Sequence, residues 1–459
     1  MWNTTLQTVE LWEHEACLLD EDEADALEDT LQQVWNNRRL SITYQDSDED
    51  AETNQRLFSF RRLRTGGVEV TPRGFIGLVR VGLIQYVVLP KIYRQISADE
   101  IGRLLAHQFE YAEALKMPDS PETASSLDTI VELFSEVQIS SFARITSHIL
   151  LRRTHIDYQE VGENIQTIRG RISFKEHLRQ NLSRGRYDRV FCRFELYQED
   201  NLFLRIVKRV TRLVLARTKN SGTRRNLSEI IAFLDPVADV PCTYRDALRV
   251  KLNVFQRDLR PVLDYCKMFL SFRMAQGSAG DYGIDQVFID TAELFERFLG
   301  GFLKKHLAGW DVRTKQRSYL ASDSAGDLFG YENDILLVPP GGNNPIVVDA
   351  KYKSVDLSER SKHYGITHGD LYQLISYAVA RNSTDVRLIY PGTEDGVSDV
   401  TFDVNSSMID ESIAVRALKF PMTTTNEARL QAFLEKEFSH QECLVSPEAE
   451  TAQPPRASA

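Results

Sequence analysis

The sequence predicts a multidomain α+β protein: a β-rich N-terminal module, a helical middle domain and a C-terminal domain of element order αβββαβ. Three observations lead there. The 459 residues exceed one ordinary core, since a domain holds about 100–200 residues. From Leu57 to Tyr93 apolar and polar residues alternate between glycine and proline punctuation, a strand pattern. Spacing is repeatedly helical from 98 to 270, and past 286 helix and strand patterns succeed one another.

The first module, 1–97, opens with two helix-like stretches and an acidic run, Asp46 to Asp50, that reads as a solvated loop. Its strand character peaks between Phe75 and Leu89. In the middle domain, 98–275, the stretch from Asp200 to Arg217 separates apolar and basic positions onto different helix faces. Gln276 to Asp281 is rich in Gly, Ser and Ala and marks a boundary. The C-terminal domain, 276–445, reads as a helix near 286–308, strands near 311–320, 331–338 and 345–352, a helix near 369–381 and a strand near 385–391. The tail, 446–459, has almost nothing to bury and is expected to be disordered.

Composition narrows the function classes. No stretch is long and apolar enough for a membrane span, and the N-terminus lacks the basic and apolar regions of a secretory signal. Five cysteines stand far apart with no CxxC pair, which disfavours a disulfide framework, a zinc knuckle or an iron–sulfur cluster and makes the cytoplasm the natural compartment. The net charge of −11 is unevenly spread. Residues 1–54 carry 15 acidic side chains against two arginines, whereas 149–225 carry 18 basic against eight acidic ones, so a basic surface survives within an acidic protein.

The sharpest chemical feature is Pro345-Ile-Val-Val-Asp-Ala-Lys-Tyr352, a β-branched strand that turns polar at Asp349 and Lys351. Period two puts both on one face. The preceding strand carries Asp334 and ends in a loop, Pro339 to Pro345, suited to reversing the chain. Pairing Val338 with Ile346 sets Asp334 opposite Ala350 but on the other face. A bulge, a twist or a one-residue slip is then needed for the carboxylates to converge.

Glu296 lies at the margin of an apolar stripe on the first helix of the domain and can look into the sheet, while Glu293 points further away. Gln373 and Tyr377, four apart, share a face of the later helix. His363 and His368 flank that helix at a spacing poorly suited to metal. Phosphodiester cleavage needs a hydroxide near neutral pH, a Lewis acid on the scissile phosphate and neutralised charge in the transition state. Asp334 and Asp349 could hold Mg²⁺, with the Ala350 carbonyl as a further ligand and Mn²⁺ as a possible substitute. Lys351 would orient the attacking water, and Gln373 would position that water or a phosphate.

Taken together, these residues resemble McrC, the nuclease subunit of the McrBC (type IV) modified-cytosine restriction systems. Phe295-Glu296, Asn333-Asp334-Ile335, Val347 to Lys353, Asp370 to Tyr377 and Leu388-Ile-Tyr-Pro391 follow the family order. Weaker landmarks are Gly77 to Arg80, Leu89 to Ile92, Arg169 to Ile172 and Cys192-Arg193. The resemblance implies a PD-(D/E)xK restriction-endonuclease-like C-terminal domain, with Asp334, Asp349 and Lys351 as its triad and Glu296 and Gln373 as auxiliary groups. Asn333 stands where the family motif commonly has proline.

The resemblance further implies a Mg²⁺-dependent endonuclease acting on double-stranded DNA. Its partner would be a McrB-like hexameric AAA+ GTPase, whose hydrolysis this chain stimulates through its first two regions. The chain itself shows no GxxxxGK[ST] phosphate loop, so translocation energy must come from that partner. The basic block 149–225 would face DNA or an acidic partner surface, and two nuclease domains could meet across a duplex. Two other readings stay open: a repair or recombination nuclease of the same fold, and a non-catalytic assembly factor that activates an AAA+ motor.

Overall fold

A computed structural model describes residues 7–36, 42–43, 57–64, 66–112, 127–151, 158–197, 200–252, 254–275, 286–323, 326–342, 344–393, 399–404 and 412–438. The acidic run at 46–50, the boundary at 276–281 and the tail at 446–459 lie outside the described residues.

The N-terminal region holds β1 (Gln7–Trp12), β2 (Cys17–Leu19), α1 (Glu21–Asn36), β3 (Ile42–Thr43), β4 (Phe58–Arg62), β5 (Val68–Pro72), β6 (Phe75–Val81) and β7 (Ile84–Leu89). The first of the two expected helical stretches is therefore a strand. Gln7–Trp12 runs parallel to β7 and buries Leu11, and that tertiary pairing outweighs its local helical spacing. A small sheet orders β2-β5-β4 beside a larger one.

The middle region contains α2 (Ala98–Tyr111), α3 (Leu127–Leu150), β8 (Tyr158–Ile165), β9 (Arg171–Ile172), α4 (Phe174–Gln180), β10 (Val190–Tyr197), α5 (Leu202–Leu215), α6 (Ser221–Phe233), α7 (Tyr244–Arg249) and α8 (Arg260–Ala275). It is not wholly helical, because β8, β10 and β9 form an antiparallel sheet. Much of the basic block is engaged internally. Lys208, only 4% exposed, donates to the carbonyls of Leu234 and Val237, where the chain leaves α6. Arg205 clasps Asp200 through two nitrogens, and Arg212 pairs with Asp239. Solvent-facing cations lie around α4, at Arg179, Arg184, Arg186 and Arg189, and again around the start of α6, at Arg217, Lys219, Arg224 and Arg225.

The C-terminal region follows as β11 (Gln286–Asp290), α9 (Thr291–His306), β12 (Asp311–Asp323), β13 (Gly326–Val338), β14 (Ile346–Ala350), α10 (His368–Arg381), β15 (Asp385–Gly392), β16 (Asp399–Val404), β17 (Ile413–Pro421) and α11 (Glu427–Phe438). From α9 to β15 the order is the expected αβββαβ. The helix does not begin at 286, however. Gln286–Asp290 is a strand antiparallel to β6, and the larger N-terminal sheet runs β1-β7-β6-β11-β3. Asp290 ends that strand and caps α9, accepting from the amides of Ala292 and Glu293. One residue thus closes the N-terminal sheet and starts the helix of the next region.

This sheet is buried on both faces by period-two alternation. Ile76, Leu78, Val287 and Ile289 share a core with Phe295, Phe298 and Phe302 of α9, whereas Val79, Tyr86 and Phe288 pack beneath α1. The close approach of α9 depends on two glycines. A Cβ at Gly301 would sit 1.9 Å from the Tyr111 carbonyl oxygen of α2, and one at Gly300 would sit 2.7 Å from Thr314 of β12. Glycine weakens an exposed helix by about 1 kcal/mol, yet here no larger residue fits without shifting a neighbour.

The C-terminal sheet runs β12-β13-β14-β15-β17-β16. Strands β14, β15 and β17 are parallel, and their carboxyl ends point the same way. Helix α9 covers one face, over Ile335, Leu337 and Val348, while α10 covers the other, over Leu336, Val347 and Leu388.

Candidate metal and phosphodiester site

The register between β13 and β14 decides the site. Leu337 pairs with Ile346, Leu336 with Val347 and Ile335 with Val348. The ladder is thus shifted by one residue from the pairing of Val338 with Ile346. The next residues beyond its last pair are Asp334 and Asp349, whose carboxylates lie close enough to act on each other. This is the slip that convergence required. The Ala350 amide donates to Asp334 Oδ2 at 2.8 Å, fixing the carboxylate across the strand pair.

Lys351 completes the group. Its Nζ lies 2.9 Å from Asp349 Oδ2 and donates to Gln373 Oε1 at 3.0 Å. The Gln373 amide in turn donates to the Tyr377 hydroxyl at 2.8 Å. Four of the expected residues therefore meet in space: Asp334, Asp349, Lys351 and Gln373. The capping box at Thr367 and Asp370 sets the start of α10 and hence where Gln373 projects. Asp370 also pairs with Lys353, holding the chain just beyond Lys351 against that helix.

Electrostatically the site is strained toward cation binding. Burial pushes the Asp334 carboxyl well above its ordinary value of 3.8, and the charges of Asp349 and Glu296 push it further. Asp349 is 1% exposed and is also raised by burial, with Lys351 opposing that shift. Burial alone would lower the Lys351 ammonium, but the adjoining carboxylates outweigh it, so its pKa is raised and it stays charged. Lys351 pairs with Asp349 Oδ2, while Oδ1 is buried with no hydrogen-bond partner among the described residues. A buried carboxylate oxygen left this way normally has a partner.

Such a donor set fits a hard divalent cation. Among the described residues no three His, Cys, Asp or Glu side chains come together as a metal-holding group. The protein brings two carboxylates together instead, a set that suits Mg²⁺, an ion that retains several waters. His363 and His368 pack edge to face, with ring centroids 5.5 Å apart.

A family model described as "McrBC 5-methylcytosine restriction system component" matches residues 70–391. The chain belongs to the McrBC family. The matched span includes every candidate residue above. Two solved structures are similar to it. One is a refined half-complex from the tetradecameric assembly of Thermococcus gammatolerans McrB AAA+ hexamers with bound McrC: 18% identity, TM-score 0.49, covering 94% of this chain and 100% of that one. The other is the cryo-EM structure of the Thermococcus gammatolerans McrBC complex: 19% identity, TM-score 0.30, covering 66% and 88%. No curated protein matches the sequence.

Within this McrBC-family chain, one of the two glutamates of α9, Glu293, departs from expectation. Glu296 lies on the helix that covers the opposite face from Asp349 and Lys351. It acts on Asp334 through its charge and stands 3.6 Å from Lys315 Nζ. Glu293 does not point away. It is buried between Arg297 at 2.6 Å and Lys315 at 2.7 Å. Lys315 was not foreseen. It sits in β12 across from Asp334, between the pairs Thr314–Ile335 and Gln316–Asn333, and adopts the left-handed region at φ 49°. A long side chain rarely tolerates that conformation, and no sequence signal marks it.

The departure at Asn333 also has a structural account. Asn333 is fully buried and accepts from Arg381 Nε at 2.8 Å, while Arg381 also donates to the Gln316 carbonyl. The end of α10 is thereby tied to β12 and β13 beside Asp334, a link that proline could not make.

Proposed function

We propose that this chain is the McrC-type nuclease subunit of a McrBC-like restriction system, with a PD-(D/E)xK C-terminal domain that hydrolyses modified-cytosine DNA with Mg²⁺. The observation that carries the reading is the one-residue register of β13 on β14, which gathers Asp334, Asp349 and Lys351 at one point. Family membership and the donor chemistry support it.

In this reading Asp334, Asp349 and the Ala350 carbonyl hold the ion. Bound there, Mg²⁺ supplies Lewis-acid polarisation of the phosphate and lowers the pKa of water. Lys351, kept protonated by the carboxylates, places positive charge where the phosphate oxygens gain negative charge. Gln373, anchored by Tyr377, sets the direction of the Lys351 ammonium. Glu296 acts by biasing Asp334 rather than as a ligand.

The partner in this reading is a McrB-like AAA+ GTPase hexamer, engaged through the N-terminal and middle regions, because this chain has no phosphate loop of its own. No described helix is long and apolar enough to cross a membrane. The test is reconstitution with the purified motor, GTP, Mg²⁺ and modified DNA. Cleavage should need both metal and motor. Lys351→Ala should abolish it while complex formation and stimulation of GTP hydrolysis persist. Unchanged cleavage by a folded Lys351→Ala protein would reject the assignment.

A further inference from the structure

A groove of about 830 Å³ lies apart from the carboxylate pair, at the ends of the same strands. Its floor is made where the parallel strands end. Tyr352 and Lys353 follow β14, Gly392 and Thr393 close β15, and Lys419 and Thr423 mark the end of β17. In open sheets with parallel strands, ligands settle in the crevice outside the carboxyl ends. The opposite wall comes from the N-terminal region, at Lys91, Ile92, Arg94 and Ile96. The groove is thus a seam between the sheet that carries Asp349 and the module packed against it.

Its chemistry is cationic. Lys91, Arg94, Lys353 and Lys419 line it against a single carboxylate, Glu100. Lys353 pairs with Asp370 and Arg94 with Glu15, while Lys91 lies within electrostatic reach of Glu13 and Lys419 within that of Asp356. Ser354, Thr393 and Thr423 add hydroxyls, and Thr423 Oγ1 is buried with no hydrogen-bond partner. Lysines, an arginine and a spare hydroxyl in an open trough suit phosphate oxygens, while no row of aromatic rings is present for stacking bases. Moreover, Lys353 of the groove is two residues past Lys351 and pairs with Asp370, on the helix that carries Gln373.

We propose that this groove binds the sugar–phosphate backbone of the DNA strand flanking the scissile phosphate, with Lys91 and Lys419 as phosphate contacts from opposite walls. The inference rests on the nuclease reading for the scissile phosphate, but the groove's own binding chemistry is separable from it. Contacts of this kind are independent of sequence, so they set register along the strand and leave recognition of the modified base to another element.

The test is binding of a fluorescently labelled DNA duplex by the full-length chain in metal-free buffer, over a range of salt concentrations. Lys91→Ala combined with Lys419→Ala should weaken binding at least about tenfold at low salt. It should also reduce the slope of log K against log salt by about two, one for each phosphate contact removed. Lys419→Arg, which keeps the charge, should retain most of the wild-type affinity, and equal melting temperatures establish that the variants are folded.

Unchanged affinity and slope in the folded double variant overturn the proposal, as does competition by polyglutamate as effective as that by DNA of equal charge. If wild type binds as described yet never cleaves, the hydrolase reading fails and the groove stands. If it cleaves and the slope does not move, only the groove fails.

Discussion

Asp334→Asn should lower DNA cleavage by at least about 10²–10³-fold, the scale of removing one electrostatic anchor from a hydrolytic site, while making the protein more stable in metal-free buffer. Asparagine keeps an acceptor for the Ala350 amide and removes the charge that opposes Asp349 and Glu296. The pH dependence has a definite sign. Because the folded-state pKa lies above the ordinary 3.8, the native chain keeps this proton after the unfolded chain has lost it. Stability is therefore lost as pH rises from about 4 towards the raised value, and it stays lost above it. The variant should melt higher than wild type near about pH 8 and equally at about pH 3, with Mg²⁺ narrowing the gap by stabilising wild type alone. A variant less stable than wild type at the higher pH would mean that the carboxylate is satisfied by the fold itself.

The second large effect is expected far from the chemistry. Gly77 lies in β6, between β7 and β11, with φ at +148°, and a Cβ there would sit 2.0 Å from the Val287 carbonyl oxygen. That contact is backbone on backbone in the middle of a sheet, so no side-chain rotation relieves it. Gly77→Ala should destabilise the protein by about 3 kcal/mol or more. It should loosen β11, and with it the start of α9. Gly74→Ala, where a Cβ meets nothing within 4 Å, is the matched control and should be nearly neutral. Chemical denaturation of both variants checks this, and equal midpoints would show that β6 and β11 can separate at little cost.

How much was legible in the sequence follows from the range of the interactions involved. The chemistry of the site lies on one short strand. Asp349 and Lys351 share a face by strand periodicity alone, and Gln373 and Tyr377 share one by helical periodicity, so these placements could be read locally. The αβββαβ order was legible for the same reason, as each element has its own pattern and punctuation. The convergence of Asp334 was not, because it depends on which residue of β14 Leu337 faces. A seven-residue loop with two glycines admits more than one answer.

Other misses are tertiary in origin. Gln286–Asp290 carries an apolar run too short to separate strand from helix by period, and it is a strand because β6 waits beside it. The same holds for Gln7–Trp12 against β7. The basic block looked like a surface from its composition, yet Lys208 spends its charge on the carbonyls beyond α6, a partnership 26 or more residues distant in sequence. Lys315 and Glu293 likewise pair across 22 residues, through a backbone conformation that composition does not encode.

The proposed mechanism requires Asp334 and Asp349 to hold one divalent ion beside Lys351. Titration of the full-length chain with Mn²⁺, followed by electron paramagnetic resonance of the free ion, tests it without requiring motor, substrate or turnover. One Mn²⁺ should bind per chain, be displaced by excess Mg²⁺ and be lost in both Asp334→Asn and Asp349→Asn proteins that remain folded. Mn²⁺ binding of unchanged affinity in either variant, or none in wild type even with DNA present, would contradict that mechanism.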